Sequence, residues 1–180
     1  MSTGTSTSQP DSLVLLNTGD GKGKTTAAFG VVVRALARDW RVGVIQFLKS
    51  DEWKTGEEDM FRSLGVEWLK GGDGFTWKTS SEEGSRSLAQ ATWRRAAAAL
   101  REGEFRLLVL DELTLPVAFG WLDEKEVAEA IRSRQKGVNV IITGRDASKV
   151  LMDLADTVTD MRSVRHPFAQ GVVARPGIDY

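Results

Sequence analysis

Thr18-Gly19-Asp20-Gly21-Lys22-Gly23-Lys24-Thr25-Thr26 lies between an apolar run, Leu13-Val14-Leu15-Leu16, and a mixed segment, Ala27 to Ala37. The apolar run reads as a buried strand and the mixed segment as a helix. Strand, glycine-rich turn, Gly-Lys-Thr and helix form the context of a phosphate-binding P-loop. Gly19, Gly21 and Gly23 are expected to take positive φ angles and bring backbone N–H groups close to an anion. The first turn of the helix adds unpaired donors and the positive end of its dipole. Lys24 is placed to reach the β- and γ-phosphates, and Thr25 to offer its hydroxyl to magnesium. The strict pattern has Gly five residues before Gly23. Here that position is Thr18, so the loop is a variant.

Working outward, Arg41–Leu48 reads as a second buried strand. Thr55-Gly56-Glu57-Glu58 has capping-box spacing, opening a short helix to Leu64. Val66–Leu69 is a short strand. Gly71-Gly72-Asp73-Gly74-Phe75-Thr76-Trp77 is irregular, with two aromatics at its end. Phe75 and Trp77 either plug this loop onto the core or form a flat apolar binding wall. Ser80-Ser81-Glu82-Glu83 opens a long helix to about Arg101, with Leu88, Ala91, Trp93, Ala96, Ala97 and Leu100 as its apolar face. Arg94, Arg95 and Arg101 read as its solvated side.

Phe105–Leu110 is the most apolar strand, and Asp111-Glu112 follows it. An apolar strand ending in an acid is the Walker-B arrangement, which holds magnesium opposite the P-loop Thr. Spacing leaves open which acid touches the metal. Pro116 and Gly120 interrupt the next stretch. Asp123–Arg134 is a helix, Val138–Thr143 a strand with Gly144-Arg145 at its end, Lys149–Ala155 a short helix, and Thr157–Met161 a strand. His166, the only histidine, precedes Pro167 in a loop and lacks the companions of a metal cluster. Residues 171 to 180 are apolar enough to dock on the body of the protein.

Strands alternate with helices. The expected fold class is therefore α/β: a P-loop NTPase-like, RecA-like, mostly parallel sheet with helices on both faces. Ligand is expected at the carboxyl ends of the strands. Residues 1–12 read as a disordered polar tail and residues 13–180 as one nucleotide-binding catalytic domain. The net charge of −1 advertises no nucleic-acid or membrane surface. The absence of cysteine excludes disulfides and thiolate chemistry. With no apolar run of spanning length and no signal-like N-terminus, the expected location is the cytoplasm.

A P-loop with a Walker-B acid implies a magnesium-bound nucleoside triphosphate without naming the reaction. Across nearly all of the sequence after the tail, the chain resembles the P-loop ATP:corrinoid adenosyltransferases. The resemblance rests on residues 18–30, Val44–Lys49, Gly74–Trp77, Val109–Leu113, Ile141–Arg145, Asp153–Asp156 and the terminal Gly-Ile-Asp-Tyr. It implies that a Co(I) corrinoid attacks the 5′ carbon of ATP and inorganic triphosphate leaves. Residues 18–26 and Arg34 would then bind ATP, and Lys24, Thr25 and Glu112 would be catalytic. Thr25 and Glu112 would be the magnesium ligands, and Phe75 and Trp77 would hold the corrinoid with its lower axial ligand displaced. The resemblance also implies a homodimer and a reductase that supplies electrons to cobalt. Asp20 stands where several relatives carry Asn, and a carboxylate beside a triphosphate costs Coulomb energy unless it faces solvent or metal. A P-loop ATPase or small-molecule kinase is the alternative reading. Its products would be ADP or phosphate.

Overall fold

The computed structural model describes residues 11–49, 55–71, 82–167 and 171–179. The aromatics Phe75 and Trp77, the Ser80-Ser81 cap and most of the N-terminal tail lie outside them. Six strands form one sheet: β1 (Val14–Thr18), β2 (Val42–Phe47), β3 (Glu67–Gly71), β4 (Leu107–Asp111), β5 (Asn139–Thr143) and β6 (Thr157–Asp160). Their order is β3-β2-β4-β5-β1-β6, and every pairing is parallel.

The strands bury both faces, and the period-2 alternation sorts their side chains. Leu108 and Leu110 of β4, Val140 and Ile142 of β5, and Val14 and Leu16 of β1 enter one core. Leu107, Val109 and Ile141 enter the other. The first core is closed by α3 (Glu82–Glu102), α5 (Glu124–Arg132) and α6 (Lys149–Leu154), and the second by α1 (Lys24–Leu36) and α2 (Gly56–Ser63). Leu108, Leu110, Val140 and Ile142 are wholly buried, which stabilises the fold by about 1.5–3 kcal/mol for each side chain. Phe29, Phe61 and Trp68 pack together beneath α1, with the Phe29 and Phe61 rings edge to face at 5.3 Å.

Local details depart from expectation for physical reasons. The capping box at α2 is half formed. Thr55 accepts from the Glu58 N–H at 3.4 Å, but the Glu58 carboxylate turns to Arg62 and Lys70 instead of back to Thr55. In α3 the buried stripe is Ser85, Ala89, Thr92, Trp93, Ala96, Ala99 and Leu100, so Leu88 and Ala91 face outward. The stripe includes polar Thr92 because Gly71 of β3 has no side chain there: a Cβ on Gly71 would lie 1.7 Å from Thr92 Oγ1. A short helix, α4 (Thr114–Ala118), forms where the sequence pattern predicts an interruption. Pro116 fits because first-turn N–H groups have no helical partner to lose. Among the described residues of the C-terminal segment, Val173 and Ile178 are exposed, and Asp179 forms an ion pair with Lys22.

Candidate active site at the carboxyl edge of the sheet

β1 lies between β5 and β6, and β4 flanks β5 on the far side. The loops leaving β1, β4 and β5 therefore meet at one edge. The β1 loop is residues 19–23. Gly19 and Gly23 have φ angles of 93° and 112°, which glycine adopts without strain. Gly21 departs from expectation: its φ is not positive, and its requirement is space. A Cβ there would lie 2.6 Å from the Met161 carbonyl oxygen and 2.7 Å from Arg162 backbone atoms. The loop is thus laid directly on the chain leaving β6, where Gly21 N–H donates to Met161 C=O. Gly23 caps α1 with no side chain to fill the first-turn N–H groups, so those donors and the helix dipole face the ligand side.

Lys24 is buried, and its Nζ donates to the carbonyls of Gly19 and Gly21, each at 2.7 Å. Burial pushes its pKa down and nearby Arg145 adds to this, while Glu112, Asp20 and Asp160 oppose it. An arriving polyphosphate would reverse the shift by supplying the missing anionic partner. Asp20 and Thr26 are exposed, so the Asp20 carboxylate keeps its solvation. Lys22 reaches Asp179. Arg34 lies on the exposed side of α1, about 15 Å beyond Lys24 along the helix axis. The fold does not bring Arg34 to the loop within this chain.

The structure separates the two acids at the end of β4. Asp111 is completely buried. Its Oδ1 accepts from Thr25 Oγ1 at 2.8 Å and Thr143 Oγ1 at 2.7 Å. Its Oδ2 accepts from Gln46 Nε2 at 2.8 Å and lies 3.5 Å from Lys49 Nζ. Gln46 is itself oriented, because its Oε1 accepts from Trp68 Nε1 at 2.9 Å. Thr25 gives its proton to Asp111, which leaves its oxygen lone pairs available to a cation. Glu112 has a φ of 62°, an uncommon left-handed backbone held by its N–H bond to Thr143 Oγ1 at 3.0 Å. Its carboxyl is pushed up by burial and by Asp111, against Lys49, Lys24 and Arg145. A divalent cation would favour its ionised form.

Thr18, Gly19, Gly21, Gly23, Lys24, Thr25 and the Asp111-Glu112 pair are therefore brought together. Sequence reasoning missed Gln46, Lys49 and Thr143. Gln46 carried a signal: a lone amide within the apolar run Val44–Phe47 must be satisfied inside the protein. No helix among the described residues is long and apolar enough to cross a membrane.

Comparison with known proteins agrees with this geometry. Residues 11–180 match the family described as ATP:corrinoid adenosyltransferase BtuR/CobO/CobP. The chain is 41% identical over 168 residues to the corrinoid adenosyltransferase of Escherichia coli K12, covering 93% of this chain and 85% of that protein. It is 42% identical, with the same coverage, to corrinoid adenosyltransferase CobA of Salmonella typhimurium. It is 39% identical over 170 residues to the corrinoid adenosyltransferase of Pseudomonas aeruginosa, covering 93% and 83%. With a P-loop set against a buried Walker-B acid and this match along the chain, the protein belongs to the ATP:corrinoid adenosyltransferase family.

Proposed function

We propose that this chain transfers the 5′-deoxyadenosyl group of ATP to the Co(I) centre of a corrinoid and releases inorganic triphosphate, in the biosynthesis or salvage of adenosylcobalamin. The observation that carries this reading is the family match over residues 11–180. The step balances without proton transfer. Co(I) supplies an electron pair to C5′, the C5′–O bond breaks, its pair departs on the triphosphate, and cobalt ends as Co(III). The demand on the protein is to hold a triphosphate and stabilise the charge that grows on it, which is work for oriented donors and cations. Residues 18–26 are assigned to that task, with Lys24 turning from the Gly19 and Gly21 carbonyls to the phosphates.

The donor chemistry fits magnesium. Thr25, Glu112 and Asp111 offer hard oxygen atoms, and no group of three or more His, Cys, Asp or Glu among the described residues could cage a metal alone. That suits an ion held by one or two protein oxygens together with substrate phosphates. Thr25 and Glu112 would hold it, and Asp111 would orient the Thr25 hydroxyl. Bound there, magnesium would offset the charge of the departing triphosphate. Phe75 and Trp77 are assigned to the corrinoid, as apolar walls that exclude water and the lower axial base. Arg34 is assigned an ATP contact by the family likeness. A homodimer, an electron-donating reductase and a cytoplasmic location complete the proposal.

The test is anaerobic incubation with magnesium-ATP and chemically reduced cobalamin. A cobalt–carbon spectrum is the expected outcome. Unchanged Co(I) with ADP or phosphate accumulating would overturn the proposal in favour of phosphoryl chemistry.

A further inference from the structure

We infer that Arg145 binds the triphosphate, clamping it from the β5 side across from the P-loop amides. This rests on the triphosphate-binding function proposed above and adds a residue to it. β5 lies between β1, which carries the P-loop, and β4, which carries the acids. In register, Asn17 of β1 and Thr143 of β5 are partners, as are Leu110 of β4 and Ile142 of β5. The loop beginning at Gly144 therefore leaves the sheet between the phosphate loop and the Walker-B pair.

That loop is held from both sides. Toward β1, Gly144 N–H donates to the Asn17 carbonyl at 3.2 Å and Ala147 N–H to Thr18 Oγ1 at 3.4 Å. Toward β4 and α4, Thr143 Oγ1 donates to Asp111 at 2.7 Å and Thr114 Oγ1 to the Arg145 carbonyl at 2.5 Å. Gly144 is required for this closeness, since a Cβ on it would lie 2.0 Å from Thr114 Oγ1. Gly144 and Asp146, on either side of Arg145, both have left-handed backbone, with φ of 138° and 52°. Glycine takes such an angle without strain, whereas Asp146 holds it as a non-glycine residue, a feature that clusters at functional sites.

The side chain on this anchored turn has a different character from the lysines nearby. Lys24 is engaged by two carbonyls, Lys22 by Asp179, and Lys49 by Asp111. Arg145 is exposed and makes no ion pair with any described residue. A planar guanidinium on a fixed backbone is suited to bidentate capture of a phosphate group.

The test is titration calorimetry of sodium tripolyphosphate with magnesium, on wild type and on Arg145→Ala, Arg145→Lys and Arg145→Glu. Melting curves verify folding, and adenosylation is measured in parallel. Arg145→Ala is expected to weaken tripolyphosphate binding about tenfold to a hundredfold. Arg145→Lys should recover part of the loss, because it restores charge without the fork, and Arg145→Glu should bind worst. Folded Arg145→Ala and Arg145→Glu proteins that bind tripolyphosphate like wild type would overturn the inference, even if wild type alkylates cobalt normally. Conversely, if wild type forms no cobalt–carbon bond yet Arg145→Ala loses tripolyphosphate affinity, the proposed reaction fails and the assignment of Arg145 stands.

Discussion

Replacing Asp111 by Asn removes one charge and reverses one donor–acceptor relation inside the protein. The Trp68 indole donates to Gln46 Oε1, and Gln46 Nε2 donates to Asp111 Oδ2. The chain of donors has a direction, and it must end on a group that only accepts. In Asp111→Asn the new amide can keep its oxygen toward Thr25 and Thr143, but its nitrogen then faces the Gln46 nitrogen and the Lys49 ammonium. Flipping Gln46 does not help, because its nitrogen would then face the Trp68 N–H. Leaving buried donors opposed and unpaired costs about 1–3 kcal/mol each, more for a charged group, so a total near 3 kcal/mol is expected. For a chain of this size that lowers the melting temperature by about 6–12 °C. Gln46→Glu combined with Asp111→Asn restores the polarity, since the carboxylate introduced on β2 would accept from both the Trp68 indole and the new amide on β4. The double variant should recover at least about 1 kcal/mol of the loss. It should not recover adenosylation, because the carboxylate is no longer beside Thr25. Calorimetric or circular-dichroism melts of the two single variants and the double variant test this. An Asp111→Asn protein that melts within a degree or two of wild type, or a double variant no more stable than Asp111→Asn, would show that this directed chain of donors does not hold the site together.

Other outcomes follow from the same geometry. Lys24→Ala should slow triphosphate release by about a hundredfold to a thousandfold in single-turnover assays, the range for losing one oriented stabiliser of developing charge. Gly21→Ala forces a Cβ onto the Met161 and Arg162 backbone. It should cost about 1–3 kcal/mol in thermal melts and weaken ATP binding in the same preparation. Phe75→Ala and Trp77→Ala should raise the KM for corrinoid and leave the Kd for ATP unchanged in direct titrations. Arg95 donates two bonds to Glu104, at 2.8 and 3.0 Å, and these, against some burial, hold the Glu104 carboxyl below its ordinary value of 4.5. A depressed carboxylate stabilises the fold above its unfolded pKa, and the gain is lost as pH falls through the folded one. Glu104→Gln should therefore cost no more than about 0.5 kcal/mol at pH 7, given the exposure of Arg95. The difference from wild type should shrink below about pH 4.5 in acid-unfolding curves.

Much of this architecture was legible in residue patterns. Runs such as Leu107–Leu110 and Val140–Ile142 are apolar at every position because both faces of a parallel sheet are covered, so strand positions were readable to within a residue or two. The P-loop was readable because glycine, lysine and threonine each have a separate physical task there. The less legible features depend on tertiary contact. Which of Asp111 and Glu112 meets Thr25 depends on alternation and on the Glu112 backbone turn, and strand spacing does not encode that. The buried stripe of α3 takes in Thr92 and leaves Leu88 outside, and the space Thr92 occupies exists because Gly71 of β3 has no side chain. Lys22 and Asp179 are far apart in the chain, and nothing local pairs them. Arg145 is half legible: Gly-Arg at a strand end marks a ligand edge, but only the bonds to Thr114, Asn17 and Thr18 show how firmly that turn is held.

The most direct test of the central claim is stoichiometry. Under anaerobic conditions, magnesium-ATP and Co(I) corrinoid are mixed with the protein, the light-sensitive alkylcobalt product is quantified by its visible spectrum, and the phosphate products are separated. One inorganic triphosphate is expected for each cobalt–carbon bond, with no ADP. ATP hydrolysed to ADP and phosphate, with cobalt left unalkylated, would contradict it.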